Sequence, residues 1–187
     1  MAGKKKRRAV FLDRDGTIIE DVPYLFEPEK VKLIKGAGEA IKILNRLAFR
    51  VVVVTNQSGV RRGYFKEADV KAVHSRLDSI LDYEGARIDD YYFCPHEPDD
   101  GCGCRKPETQ MIDTAAAENS LDVENSYVIG DKSSDLWLAN NVGATSILVR
   151  TGLGLDTEKE QSIKPGFVAR DILQAVEWIM IDSKTRY

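Results

Sequence analysis

Two short segments, residues 8–12 and 50–54, are continuous apolar runs rich in β-branched residues, and each stops abruptly at polar ones. An unbroken run of this length suits a strand buried on both faces of a parallel sheet. Between the two runs, Ile41, Leu44, Leu47 and Ala48 recur at helical spacing after Gly36 and Gly38. The whole reads as a strand, a crossover helix and a second strand, with right-handed crossover as the default.

The pattern repeats downstream. A helix carrying Val70, Val73, Leu77 and Leu81 precedes a strand-like segment at 88–93, and a helix near 110–118 precedes another at 127–129. A third alternation runs through 136–140 and 146–149, and Ile172, Val176 and Ile179 suggest a last amphipathic helix. This alternation predicts an α/β fold, a doubly wound, Rossmann-like parallel sheet whose ligands gather at the carboxyl ends of the strands. Residues 16–34, 94–106 and 150–165 do not fit the alternation and are expected as loops at the rim. At 187 residues and 43% hydrophobic content the chain suits one sizeable core, so a single domain over 1–187 is expected.

The 27 basic and 30 acidic side chains leave a formal charge of -3, which provides no overall basic field for nucleic acid or anionic lipid. No apolar run has the length of a membrane span, and the charged start lacks the apolar stretch of a secretory signal. A cytoplasmic monomer with no nucleic-acid or membrane partner is expected, and residues 1–8, with the basic run at 4–8, are expected to be a disordered, solvated tail.

The first strand leads straight into Asp13-Arg14-Asp15-Gly16-Thr17. Two carboxylates converging on one spot resist ionising together unless a cation offsets them, which calls for a hard metal such as Mg2+. A solvated turn with a helix cap is the bland alternative. The second strand ends in Thr55-Asn56-Gln57-Ser58-Gly59, a run of hydroxyl and amide donors able to hold phosphoryl oxygens. Lys106 stands just before a helix, where a fixed ammonium could neutralise a phosphate. The strand at 127–129 ends in Gly130-Asp131-Lys132-Ser133-Ser134-Asp135, so Asp131 could complete a metal site, while Asp135 could be a cap or a supporting residue.

All three cysteines and one of the two histidines fall within eleven residues, as Cys94-Pro95-His96 and Cys102-Gly103-Cys104. Three thiolates and an imidazole make a full tetrahedral shell for Zn2+, and a closed shell reads as structural. A disulfide would leave one Cys unpaired. Zinc would stiffen the short loop that delivers Arg105 and Lys106. His74, among helical positions with Val70, Val73 and Leu77, is expected to be a packed or surface histidine.

These four strand-end elements, in this order, resemble the haloacid dehalogenase superfamily over about residues 10–149. The resemblance implies that Asp13 is a nucleophile forming an aspartyl-phosphate, that Asp15 is the general acid/base, and that Thr55 and Lys106 stabilise the phosphoryl group. It also implies Mg2+ held by Asp131, the Asp13 side chain and the Asp15 backbone carbonyl. An acid at the second position resembles the phosphatases and phosphomutases of that superfamily. The zinc loop ending in Cys104-Arg105-Lys106-Pro107 resembles a small, nearly capless branch containing heptose 1,7-bisphosphate 7-phosphatases and histidinol-phosphate phosphatases.

Within that branch the run from Thr55 through Ser58, Arg61, Arg62 and Tyr64 to Phe65 looks like the heptose enzymes; the histidinol enzymes typically carry an acid where Ser58 stands. Asp21 and Tyr24 match positions that contact the sugar. A doubly phosphorylated sugar needs a second cationic anchor, and Arg105 is the first candidate, with Arg62 and Lys132 as others that could equally be surface charge. The five-residue gap between His96 and Cys102 resembles the histidinol enzymes instead, and Val22-Pro23 replaces a more polar pair. The resemblance therefore implies a phosphatase for a sugar bisphosphate, with histidinol phosphate as the alternative substrate. A repair phosphatase for nucleic-acid ends would want a basic groove with aromatic platforms, which the sequence does not display. An inactive zinc-stapled binding module on the same scaffold is the alternative from another class.

Overall fold

Ala9, Val10, Phe11 and Leu12 have no exposure at all, and they form the strand β1 (Ala9–Leu12) near the centre of a six-stranded sheet. The computed structural model describes residues 6–185. The remaining strands are β2 (Arg50–Asn56), β3 (Asp90–Cys94), β4 (Tyr127–Gly130), β5 (Thr145–Val149) and β6 (Phe167–Ala169), in the order β3-β2-β1-β4-β5-β6. Every neighbouring pair is parallel.

The helices are α1 (Ala37–Arg46), α2 (Glu67–Glu84), α3 (Gln110–Asn119), α4 (Ser133–Val142), α5 (Gly154–Glu160) and α6 (Ile172–Thr185). Side chains alternate across a strand, so Val10 and Leu12 pack into one core with residues of α1, α2 and α6, while Ala9 and Phe11 pack into a second with α3 and α4. Burial on both faces is what the unbroken apolar runs require. The chain winds outward from β1 to β3, returns to lay β4 beside β1, and winds outward again. The strand order therefore reverses between β1 and β4, the switch point where such sheets open a crevice at their carboxyl ends. Asp13 follows β1 and Asp131 follows β4, so both lie at that crevice.

Several boundaries differ from the sequence expectation. β2 runs two residues further, so Thr55 and Asn56 belong to the strand. Residues 150–165 contain α5 and lead into β6, which the sequence pattern does not reveal. Residues 16–34 are tied down by the Gly16 N–H to Ile19 carbonyl bond (2.8 Å), Glu20 to Lys32 (3.0 Å) and Ile34 to Ile18 (2.9 Å). Arg7 and Arg8 are not a solvated tail. The Arg7 backbone pairs with Ser120 and Asp122, the Arg8 carbonyl accepts from the Arg50 N–H at 3.0 Å, and the Arg8 guanidinium lies 4.7 Å from the Phe49 ring centroid. Lys4 and Lys5 lie outside the described residues. No helix among the described residues is long and apolar enough to cross a membrane.

Candidate active site

The Asp13 N–H donates to the Ile129 carbonyl at 2.9 Å, a last rung of pairing that sets the Asp13 carboxylate where β1 ends. The carboxylate is almost fully buried, and the Lys106 ammonium sits 2.8 Å from Oδ1. Burial alone would raise the carboxyl pKa; Lys106 and Lys132 outweigh it and hold Asp13 below its ordinary value. Lys106 is itself pushed down by burial and pulled up more strongly by Asp13 and Asp135, the latter at 2.6 Å, so it stays charged. Its ammonium also donates to the Val54 carbonyl at 2.9 Å.

Asp13, Asp131 and Asp135 bring carboxylate oxygens within 4.8 Å of one another. Among the described residues, Lys106 and Lys132 are the cations paired with these three carboxylates, and Lys132 is shared with Asp21. Burial, then repulsion from Asp13, pushes Asp131 up to about 7. The Lys132 ammonium lies 3.2 Å from the Asp15 carbonyl, 3.4 Å from Asp131 Oδ1, 3.7 Å from Asp13 Oδ2 and 3.5 Å from Asp21 Oδ2. The donors expected for Mg2+ thus already converge on one positive charge, and their chemistry fits a divalent cation. Asp15 offers its carbonyl there; its carboxylate is bound elsewhere, to Arg14 and to Gln57 Nε2.

The loop after β5 seals Asp131 from behind. The Leu153 N–H donates to Asp131 Oδ2 at 2.8 Å, Thr157 Oγ1 to the Asp131 carbonyl at 2.8 Å, and Thr151 Oγ1 to the Gly16 carbonyl at 2.6 Å. Gly16 and Gly152 both have positive φ, +89° and +56°, and a Cβ on either would come within 2.3 Å of Asp131 Oδ2. Only glycine lets these two turns close on the carboxylate.

Thr55, Asn56, Gln57, Ser58, Asp21, Tyr24, Arg105 and Lys132 all line the same pocket as Asp13, Asp15 and Lys106. The Asn56 side-chain amide accepts from the Lys106 N–H at 3.0 Å and donates to the Lys106 carbonyl at 3.3 Å, so from the pocket wall it also holds the lysine loop. One expected role needs correction. Arg62 pairs with Glu97 at 3.1 Å and is not in the pocket wall. Gln57 bridges Asp15 Oδ2 (2.9 Å) and Thr55 Oγ1 (2.8 Å). Arg14, wholly buried behind Asp15, is a residue the sequence reading passes over. The only hint of it is an Arg set between two aspartates.

Beside the pocket, Cys94, His96, Cys102 and Cys104 converge and the three cysteines are free of disulfides. Cys94 and Cys104 sulfurs are 3.1 Å apart, both lie 3.6 Å from Cys102, and His96 Nδ1 is 3.5 Å from Cys94 and 3.3 Å from Cys104. A tetrahedral zinc site has ligand separations of about 3.6–3.8 Å, so the quartet fits such an ion with little adjustment. The loop beyond it is tied back by Arg105 Nη1 donating to the His96 carbonyl at 3.0 Å. His74 is no ligand. It is buried, stacked on Tyr91 at 4.3 Å, and burial followed by the Arg14 charge lowers its pKa to about 3, so it is neutral.

Residues 103–175 match a HAD-hydrolase-like family model. The D-glycero-D-manno-heptose-1,7-bisphosphate 7-phosphatase of Thermosynechococcus vestitus is 38% identical over 187 residues, covering 92% of this chain and 95% of that one. The D-glycero-beta-D-manno-heptose-1,7-bisphosphate 7-phosphatase of Escherichia coli K12 is 39% identical, covering 82% of this chain and 85% of its own. The chain belongs to the heptose-1,7-bisphosphate 7-phosphatase family. A crystal structure from this family, D,D-heptose 1,7-bisphosphate phosphatase from B. bronchiseptica complexed with magnesium and phosphate, matches with a TM-score of 0.88 at 33% identity, covering 94% of this chain and 99% of that one. The family enzyme from Burkholderia thailandensis matches at 0.73 and 29% identity, over 93% and 99% of the two chains.

Proposed function

We propose that the protein is a Mg2+-dependent phosphomonoesterase that removes the 7-phosphate of D-glycero-D-manno-heptose 1,7-bisphosphate, leaving heptose 1-phosphate. The observation that carries the reading is the buried Asp13 carboxylate, kept ionised by Lys106 and gathered with Asp131 and Asp135 into a cluster able to hold a metal ion. Asp13 attacks phosphorus in line, and the aspartyl-phosphate forms as the ester P–O bond breaks. Protonated Asp15 gives its proton to the departing sugar oxygen, then takes one from the water that hydrolyses the aspartyl-phosphate. Lys106, Thr55 and Ser58 hold the phosphoryl oxygens. Asp13, Asp131 and the Asp15 carbonyl would hold Mg2+, which when bound offsets the repulsion between the anionic nucleophile and the phosphate. Arg105 anchors the second phosphate, Lys132 stands beside Asp13 at the reacting one, Asp21 and Tyr24 border the sugar, and zinc on the Cys/His quartet would brace the Arg105 loop.

The names of the relatives support heptose bisphosphate over histidinol phosphate, and the beta form in the name of the Escherichia coli relative favours the β anomer. The test is phosphate release, with Mg2+ present, from the α and β heptose bisphosphates and from histidinol phosphate. The β anomer is expected to lead the comparison of kcat/KM by at least about tenfold over the α, and histidinol phosphate by far more. A lead by histidinol phosphate would overturn the substrate while leaving the chemistry of Asp13 standing.

A further inference from the structure

Arg14 lies between the two aspartates, yet it is the largest side chain in the molecule with no exposure at all. A guanidinium cannot shed its proton to escape that burial, so its charge has to be met. It is met by Asp15. Arg14 Nε donates to Asp15 Oδ1 and Oδ2 at 3.3 and 3.1 Å, and Nη2 lies 3.0 Å from both oxygens. Nη1 finds no partner among the described residues, so no second acid shares the fork. From the other side Gln57 Nε2 donates to Asp15 Oδ2, and the same nitrogen reaches Thr55 Oγ1.

We propose that Arg14, with Gln57, is a positioning residue that holds the Asp15 carboxylate in place for its two proton transfers. This rests on Asp15 being the acid/base proposed above. A group that first protonates a sugar alkoxide and then deprotonates a water must stay within hydrogen-bond reach of both, and a side chain free to rotate would spend most of its time elsewhere. The guanidinium supplies hydrogen bonds to both carboxylate oxygens and a permanent charge, and it cannot compete as an acid, because arginine does not deprotonate at working pH. The neutral, stacked His74 and Tyr91 behind it add no charge that would draw the fork away.

The test compares two leaving groups, since a positioning role for the acid matters only where the departing oxygen needs a proton. For the heptose bisphosphate, Arg14→Met is expected to lower kcat/KM by roughly 10–100-fold, a part of what a general acid supplies. For 2,4-dinitrophenyl phosphate, whose phenolate leaves unaided, the loss should stay within about threefold. Asp15→Asn should show the same contrast more strongly, and Arg14→Met should add little on top of it. If Arg14→Met does not fold, Arg14→Lys, which keeps the charge and loses the fork, must show the contrast. Equal losses on both substrates, or losses that multiply in the double variant, would overturn the inference. Equal losses in Asp15→Asn alone would instead overturn the acid/base assignment of Asp15.

Discussion

A carboxylate that attacks an anionic ester has to be ionised and unhydrated, and the surroundings of Asp13 meet both demands with Lys106 at 2.8 Å in a buried site. Because Lys106 keeps Asp135 at 2.6 Å, Asp13→Asn leaves the lysine paired. Phosphate release by that variant is expected to fall by at least about 10³-fold, with its thermal melt and zinc content unchanged. A pH dependence follows from Asp131. Its pKa, raised by burial to about 7 without metal, means the folded protein retains a proton that the unfolded chain gives up near 3.8. That contribution to stability is complete below 3.8 and is lost as pH rises through about 7, where the bare carboxylate calls for a cation. The gain in melting temperature from Mg2+ over a chelator should therefore grow from about pH 5.5 to 7.5 and then level, and a flat profile would refute it. Asp13, Asp131 and Lys106 were legible because each follows a strand or opens a helix at one end of a parallel sheet. Arg62 was misplaced because its partner, Glu97, lies 35 residues away, and spacing alone does not reveal which donors are already occupied.

Among the elements, the loop carrying the Cys/His quartet links stability to the site most directly. Cys94 is the last residue of β3, so one ligand is fixed by the sheet, while Cys102 and Cys104 belong to a loop with no regular structure around them. Cys102→Ser is expected to lose the metal and to raise KM for the bisphosphate several-fold through Arg105, with Mg2+ affinity unchanged, since the Mg2+ donors lie on other loops. Metal analysis of the purified variant and a Mg2+ titration check the two halves separately. Long helices such as α2 were legible from their buried stripe of Val70, Val73, Leu77 and Leu81. α5 and β6 were not. α5 turns Leu155 outward at 54% exposure, and Leu153 just ahead of it at 49%, so its apolar residues give the opposite of an amphipathic signal. β6 is three residues long at the sheet edge, too short for any period to show.

At the scale of the whole molecule, double winding was legible because unbroken apolar runs can be satisfied only by helices on both faces, and the two cores divide β1 residue by residue. What the patterning could not reveal is how the start of the chain closes the structure. A basic run at 4–8 looks like solvated charge, yet Arg7 and Arg8 extend the line of β1 and join parts of the fold remote in sequence. The Arg7 N–H donates to the Ser120 carbonyl at 3.2 Å and its carbonyl accepts from Asp122 at 2.8 Å, which ties the chain to the connection between α3 and β4. Arg8 meets β2 through Arg50, stacks on Phe49, and donates from Nη1 to the Ser183 carbonyl of α6 at 3.3 Å. Four hydrogen bonds and one cation–π contact, partly exposed, are worth together about 2–4 kcal/mol. In a chain of this size that corresponds to a melting temperature lower by roughly 5–15 °C. A chain beginning at Ala9 after its initiator should show this loss in a thermal melt, and one beginning at Arg7 should not. Equal melting of the two would mean that these contacts contribute nothing, and the charge at the start would then be solvation alone.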